Sequence, residues 1–144
     1  MRTAILEAEQ LPAVAGLEAL CFGNPWSENA LSLLLRERNF GVVTLEGDEV
    51  CAYVGLVVAL DEGEITNVAT HPEHRRQGYA REALLTLINE ARRRGLCRVS
   101  LEVRESNGAA RALYESLGFT LCGRRKNFYS RPREDGLILE KILS

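Results

Sequence analysis

Cysteine is scarce in this 144-residue sequence. The four thiols, Cys21, Cys51, Cys97 and Cys122, lie far apart and form no C-x-x-C pair, so no zinc-ribbon or dithiol redox motif is spelled out. Each is embedded among apolar neighbours, so buried reduced thiols are expected, and with them a cytoplasmic chain. The 4 prolines and 12 glycines do not cluster into a linker, and no repeat or low-complexity tract divides the chain. Long hydrophobic runs are missing. The longest nearly apolar stretch, Cys51 to Leu60, is about half of what a membrane-spanning helix needs. The amino-terminal residues Met1 to Glu7 meet an acid before any signal-peptide core can form. No excess of one charge exists either: Lys plus Arg is 18, Asp plus Glu is 20, and the net charge is -2. That balance argues against duplex DNA as the main partner, because phosphate-dominated binding calls for a basic domain, though it leaves room for a local cationic patch.

What is present is a globular composition, 46% hydrophobic and 26% charged. Residues 1–144 read as a single domain, long enough to bury roughly 70% of its unfolded surface without a metal or disulfide staple. Thr3 to Ala8 reads as a first strand, followed by a helix running through Leu17 to Cys21. Pro25-Trp26-Ser27 opens a second helix with Ser27 as N-cap. Phe40 to Glu46 and Val50 to Leu60 are β-branched runs around a Gly47-Asp48 turn, and Glu64 to Thr70 is another strand. Gly78 to Arg94 carries Ala80, Leu84, Leu85, Leu87, Ile88 and Ala91 at helical spacing. Arg98 to Val103 alternates strictly, Asn107 to Leu117 is a short helix closed by Gly118, and Thr120 to Asn127 and Gly136 to Ile142 are strands. The order βαα-βββ-α-β-α-ββ gives an α/β (α+β) fold with a mixed sheet and helices on its faces.

The densest chemical signal runs from Val68 to Ala80. A strand ends, a basic turn follows with Arg75 and Arg76, and a long helix opens at Gly78. Unpaired N–H groups and the helix dipole favour an anion there, and Gly78 allows close approach to the backbone. No G-K-[ST] follows and the three spaced glycines of a dinucleotide fingerprint are missing. Arg75-x-x-Gly78-x-Ala80 instead resembles the R/Q-x-x-G-x-G/A signature of the GNAT N-acetyltransferases. Within that superfamily the chain looks most like the bacterial ribosomal-protein-alanine N-acetyltransferases. The stretches Pro25-Trp26-Ser27, Ile65 to Ala69, Leu101 to Asn107 and Ala112 to Phe119 carry this, with Arg124 to Tyr129 and Glu134 to Gly136 in the tail. Ala80 replaces the more common glycine, and Phe128 stands where a tyrosine is frequent.

The resemblance implies a mostly antiparallel mixed sheet whose two central parallel strands splay apart to admit acetyl-CoA. Backbone groups around Val68, Ala69 and Thr70 would meet its acetyl and pantetheine amides. Its pyrophosphate would rest on the turn formed by Arg76, Gln77, Gly78, Tyr79, Ala80 and Arg81. The family further implies Glu102 as general base, Tyr114 as general acid and Asn107 as a CoA contact. The chemistry agrees, since an amine attacks a thioester only when neutral, and a phenol can protonate a leaving thiolate. Glu102 alternates away from Leu101 and Val103, and Tyr114 lies two helical turns after Asn107. Attack would be direct within a ternary complex, because no cysteine sits beside an evident base in the sequence.

The implied acceptor is the N-terminal alanine of a small-subunit ribosomal protein. Energetics make such an amine comfortable: neutralising an α-amine at pH 7 costs about 1 kcal/mol, against nearly 5 for lysine. Two alternatives stand beside this reading. One is a GNAT enzyme acting on a small amine, for which Glu134 and Asp135 would supply an acidic pocket. The other is a non-catalytic CoA-binding module. Neither a metal, a membrane nor a direct nucleic-acid role is expected. His71 and His74 sit on a turn with no third ligand at a recognised spacing, and Arg92-Arg93-Arg94 reads as a solvated helix end. Trp26 either packs the second helix or lines the acceptor cleft, which Asn24 to Ser27 and Phe128 to Glu134 would wall.

Overall fold

A computed structural model describes residues 1–143. Strands β1 (Arg2–Ile5), β2 (Phe40–Glu46), β3 (Glu49–Ala59), β4 (Glu62–Thr70), β5 (Arg98–Arg104), β6 (Thr120–Tyr129) and β7 (Glu134–Ile142) form a seven-stranded sheet in the order β1-β2-β3-β4-β5-β7-β6. Every neighbouring pair is antiparallel except β4 and β5. Helices α1 (Leu11–Cys21) and α2 (Glu28–Leu31) cover one face, and α3 (Tyr79–Arg93) and α4 (Gly108–Ser116) the other. This is the mixed sheet with helices on both faces that the sequence predicts. The first strand is shorter than expected, because the chain turns into a 3-10 segment at Ala8.

Periodicity explains each layer. In β5, Val99, Leu101 and Val103 are buried while the residues between them are half-exposed. Ala83, Leu84, Leu87, Ile88 and Ala91 of α3 pack against the same face, with Tyr114 and Phe119. Leu85, counted with that stripe from the sequence, is rotated outward and 36% exposed. The second core lies across the sheet, where Leu11, Val14 and Leu17 of α1 meet Val43, Leu45 and Tyr53. Ser27 caps α2 as expected, its Oγ accepting from the Ala30 N–H at 3.1 Å. The triple arginine is tethered: Arg93 Nε reaches Glu90 at 3.0 Å, Arg94 lies 4.1 Å from the Phe40 ring centroid, and Arg92 donates to the Leu143 carbonyl. The cysteines are all free thiols, but against the expectation of four buried thiols only Cys51 is buried, Cys21 and Cys97 are partly exposed, and Cys122 is exposed on the edge strand β6.

Two irregularities place the site. β4 and β5 pair only at Glu62–Arg98, Gly63–Val99 and Glu64–Ser100. Beyond that point no further β4–β5 pair forms among the described residues, so the strands diverge. Just where they part, Thr66 and Asn67 of β4 oppose the single residue Gly55 of β3, because the register passes from Val54–Val68 to Leu56–Ile65. That β-bulge bends β4 away from its neighbour. Gly55 permits it, since a Cβ there would stand 2.6 Å from Thr66 Oγ1 and 2.8 Å from Leu34 Cδ1.

Candidate active site

Between the diverging strands lies a cleft of about 870 Å³. Thr66, Val68, Leu101, Glu102, Asn107 and Tyr114 border it, together with Trp26 and Phe128 from the flanking loops. Glu102 projects from the face of β5 opposite the α3 core, as alternation predicts. Its Oε1 lies 3.3 Å from Arg125 Nε, while Oε2 is buried without a hydrogen-bond partner among the described residues. A buried carboxylate oxygen with an open lone pair is costly unless a ligand proton completes it.

Tyr114 enters the same cleft from α4 and is only 7% exposed. Its ring stacks edge-on against Phe119 at 5.9 Å. Burial, assisted by the nearby Tyr129, pushes its phenol up to about 12, so the group carries its proton at neutral pH. Asn107 also borders the cleft, yet it precedes α4 rather than lying within it. Its Oδ1 caps the helix by accepting from the Ala110 N–H at 3.2 Å, which leaves the amide nitrogen as its free donor.

The basic turn lies at the start of α3. Gly78 is the N-cap at φ 85° and makes no side-chain cap. The first intrahelical bond joins the Glu82 N–H to the Gly78 carbonyl at 3.0 Å, so the N–H groups of Tyr79, Ala80 and Arg81 have no partner within the helix. Arg76 is also left-handed, at φ 63°, and such alternation turns successive N–H groups toward one anion. A Cβ on Gly78 would project into open space. Arg76 and Gln77 are exposed there, and Arg81 donates to Ser116 Oγ at 2.8 Å. Tyr79 contributes backbone alone, because its ring is buried and its hydroxyl bonds Glu46 Oε1 at 3.2 Å. On β4, Val68 borders the cleft, Ala69 is buried toward α1, and the Thr70 carbonyl accepts from Cys21 Sγ at 3.2 Å. These strand residues and the α3 turn are consecutive in the chain. An open strand edge followed by an unpaired helix N-terminus fits a ligand with amides at one end and a pyrophosphate at the other.

Several expectations need correction. Glu134 and Asp135 do not form an acidic pocket. Glu134 accepts from the Ser106 N–H at 2.8 Å and Arg104 Nη1 at 3.0 Å, and Asp135 from the Asn127 N–H at 2.9 Å and Arg124 Nη1 at 2.8 Å. These bonds hold both carboxyls below their ordinary range and tie down the β6–β7 connection. A cysteine does lie near potential bases: the ligating atoms of Cys51, Glu49 and His74 fall within 4.8 Å of one another. Cys51 is fully buried and outside the lining of the cleft, and burial followed by the Glu49 charge pushes its thiol up. It is not placed to take an acetyl group. Trp26 is packed against the core cluster that holds Leu31 of α2 and the apolar face of α1, and it also borders the cleft.

Sequence reasoning missed Arg125, Glu18 and Tyr53. Nothing in spacing marks Arg125, which reaches Glu102 from the far edge of the sheet. Glu18 left a trace: it is the one charged residue of the otherwise apolar helix α1.

The chain matches the model of the Acetyltransferase (GNAT) family over residues 11–119. It is 39% identical over 141 residues to the [ribosomal protein bS18]-alanine N-acetyltransferase of Escherichia coli (strain K12), covering 96% of this chain and 95% of that protein. The crystal structure of the ribosomal-protein-S18-alanine N-acetyltransferase from Escherichia coli superposes with a TM-score of 0.90 at 37% identity, over 99% of this chain and 95% of that one. The structure of yncA from Salmonella typhimurium with its cofactor acetyl-CoA shares the fold, with a TM-score of 0.82 at 22% identity over 99% and 94% of the two chains. With a cleft between splayed strands, an open helix N-terminus and this family match, the chain belongs to the acetyltransferase (GNAT) family.

Proposed function

We propose that this chain transfers the acetyl group of acetyl-CoA to the N-terminal α-amine of a ribosomal protein, with an N-terminal alanine of the bS18 type as acceptor. The observation that carries the reading is the convergence of Glu102 and Tyr114 on a cleft continuous in sequence with the α3 turn. Acetyl-CoA, when bound, supplies the thioester carbon that an amine attacks. The β4 edge from Val68 to Thr70 aligns the donor, and the Tyr79, Ala80 and Arg81 N–H groups with Arg76, Gln77 and Gly78 hold its pyrophosphate. Asn107 offers its amide nitrogen from the α4 cap. Glu102 Oε2, with its free lone pair, accepts the proton of the α-ammonium directly or through water. Tyr114 Oη donates its proton at the departing sulfur. The transfer is a direct displacement, and the acceptor arrives between the Asn24–Ser27 and Phe128–Glu134 segments. Continuity of the sheet supports one acetyltransferase domain over residues 1–144, and a ribosomal acceptor puts the reaction in the cytoplasm. No described helix is long and apolar enough to cross a membrane.

The test is thiol release from acetyl-CoA with mass spectrometry of the products. Acceptors are peptides starting with Ala, Ser or Met, an N-blocked lysine peptide, spermidine and an aminoglycoside. A single acetyl group on the Ala-starting peptide, lost when its α-amine is blocked, is the expected result. Acetylation of spermidine or the aminoglycoside with silent peptides would overturn the acceptor.

A further inference from the structure

Glu18 is the feature of the cleft that the proposed chemistry does not use. It lies in α1 with 0% exposure, on a helix that is otherwise apolar. A buried carboxylate without a cation is destabilising unless donors surround it. Three do, and they come from three parts of the fold. The Trp26 backbone N–H donates to Oε1 at 2.9 Å. The Asn67 side-chain amide donates to Oε2 at 2.9 Å, and the Tyr53 hydroxyl donates to that same oxygen. Burial, then the hydrogen bond to Glu18, raises the Tyr53 phenol, which keeps it a donor.

The location of these donors gives the arrangement its meaning. Trp26 belongs to the loop between α1 and α2, one wall of the cleft. Asn67 is a residue of the β4 bulge, immediately before Val68 to Thr70. Tyr53 lies on β3, paired with Ala69. One carboxylate therefore connects the acceptor wall to the strand that would align the acetyl donor. We propose that Glu18 is a positioning residue for acceptor recognition: it sets the distance between the Asn24–Ser27 wall and the β4 bulge, and so the width of the slot that an incoming amino terminus must fit. Both of its oxygens are occupied by protein donors, so it does not itself touch the reacting amine. The acceptor half of this inference rests on the peptide reading above.

Trp26 is the only tryptophan of the chain, so its emission reports the wall directly, whatever the acceptor. Glu18→Ala removes both acceptor oxygens and strands the Trp26 N–H. The expected result is a red-shifted Trp26 emission, more accessible to a neutral quencher. With it, KM for the Ala-starting peptide rises about tenfold while KM for acetyl-CoA stays within about twofold. Glu18→Gln keeps one carbonyl oxygen in the same volume and is expected to move both readouts in the same direction by less; it decides the matter if the alanine variant does not fold. Unchanged Trp26 emission overturns the proposal. So does a parallel rise in both KM values with a lowered melting temperature, which marks a merely structural carboxylate. If the wild-type enzyme ignores the peptide and acetylates another amine, the peptide reading fails on its own. The same split between acceptor KM and acetyl-CoA KM is then read with that amine, and Glu18 stands or falls by it.

Discussion

At the scale of single residues, Glu102 and Tyr114 differ in what surrounds them, and that difference sets their tests. Glu102 borders the cleft and keeps one buried oxygen without a partner, which suits the proposed role of proton acceptor. Glu102→Gln is expected to lower kcat by about a hundredfold near neutral pH, within the range for losing a general base. The loss should shrink as pH rises past the α-amine value of about 8, where the acceptor is already neutral. A pH–rate profile checks this, and a loss uniform across pH removes the base assignment. Tyr114 is buried and its phenol, pushed up to about 12, carries its proton at neutral pH, as the proposed role of proton donor requires. Tyr114→Phe should leave CoA affinity within about twofold and reduce kcat by at least about tenfold. Calorimetry with CoA beside steady-state rates separates these, and collapse of affinity would make the tyrosine a binding residue. The direction of Glu102 followed from strand alternation, while the roles expected of Glu102 and Tyr114 came only from the family resemblance. Arg125 and Tyr53 were not legible in the sequence. Their roles depend on partners that are neighbours only after the sheet has formed.

At the scale of elements, the site depends on β4 being imperfect. A regular β4 would pair with β5 along its whole length and leave no cleft. The bulge at Thr66 and Asn67 ends that regularity, and Gly55 accommodates it. Gly55→Ala drives a methyl group against Thr66 Oγ1 and Leu34, so destabilisation of about 1–3 kcal/mol is expected, as for other overpacked sites. Thermal melting checks this, and an unchanged midpoint would show that the bulge relaxes freely. The strand itself was visible as a β-branched run. The bulge was not, because nothing in Ile65-Thr66-Asn67-Val68 shows which residue of the neighbouring strand will be skipped. Gly78, by contrast, was readable as the glycine that opens the long apolar-striped helix and allows close approach to its backbone, while its left-handed φ of 85° came from the structure.

At the scale of the whole molecule, carboxylates held below their ordinary values are distributed over distant corners. The amino terminus and then Tyr79 lower Glu46; Arg93 and Arg94 lower Glu90. The Ser106 and Arg104 donors lower Glu134, and the Asn127 N–H and Arg124 lower Asp135. For each, the unfolded chain binds its proton more readily than the folded one. The stabilisation is therefore complete above the ordinary values of 4.5 for glutamate and 3.8 for aspartate, and is lost as pH falls through the lower folded values. The melting temperature is expected to hold between pH 7 and about 5 and to fall below about 4. A flat profile into that acid range would mean that these contacts add nothing to the folded state.

The sequence by itself determined the layers, the order of elements and the anion-seeking turn before α3. It also determined the family resemblance that pointed to Glu102 and Tyr114. The layers, the element order and the turn follow from periods of two and 3.6 residues and from glycine's lack of a side chain, which act over short separations in the chain, and the resemblance rests on the motif residues themselves. Only the tertiary structure decided which carboxylates are available. Glu134 and Asp135 looked like an open acidic pair and proved to be committed to Arg104, Arg124 and backbone donors. Glu18, on which the sequence carried no reading, is buried and held by donors from the α1–α2 loop, β3 and the β4 bulge. A side chain's hydrogen-bonding capacity is taken up by whatever the fold brings within about 3 Å, and for Glu18 one such partner, Asn67, lies 49 residues away in sequence.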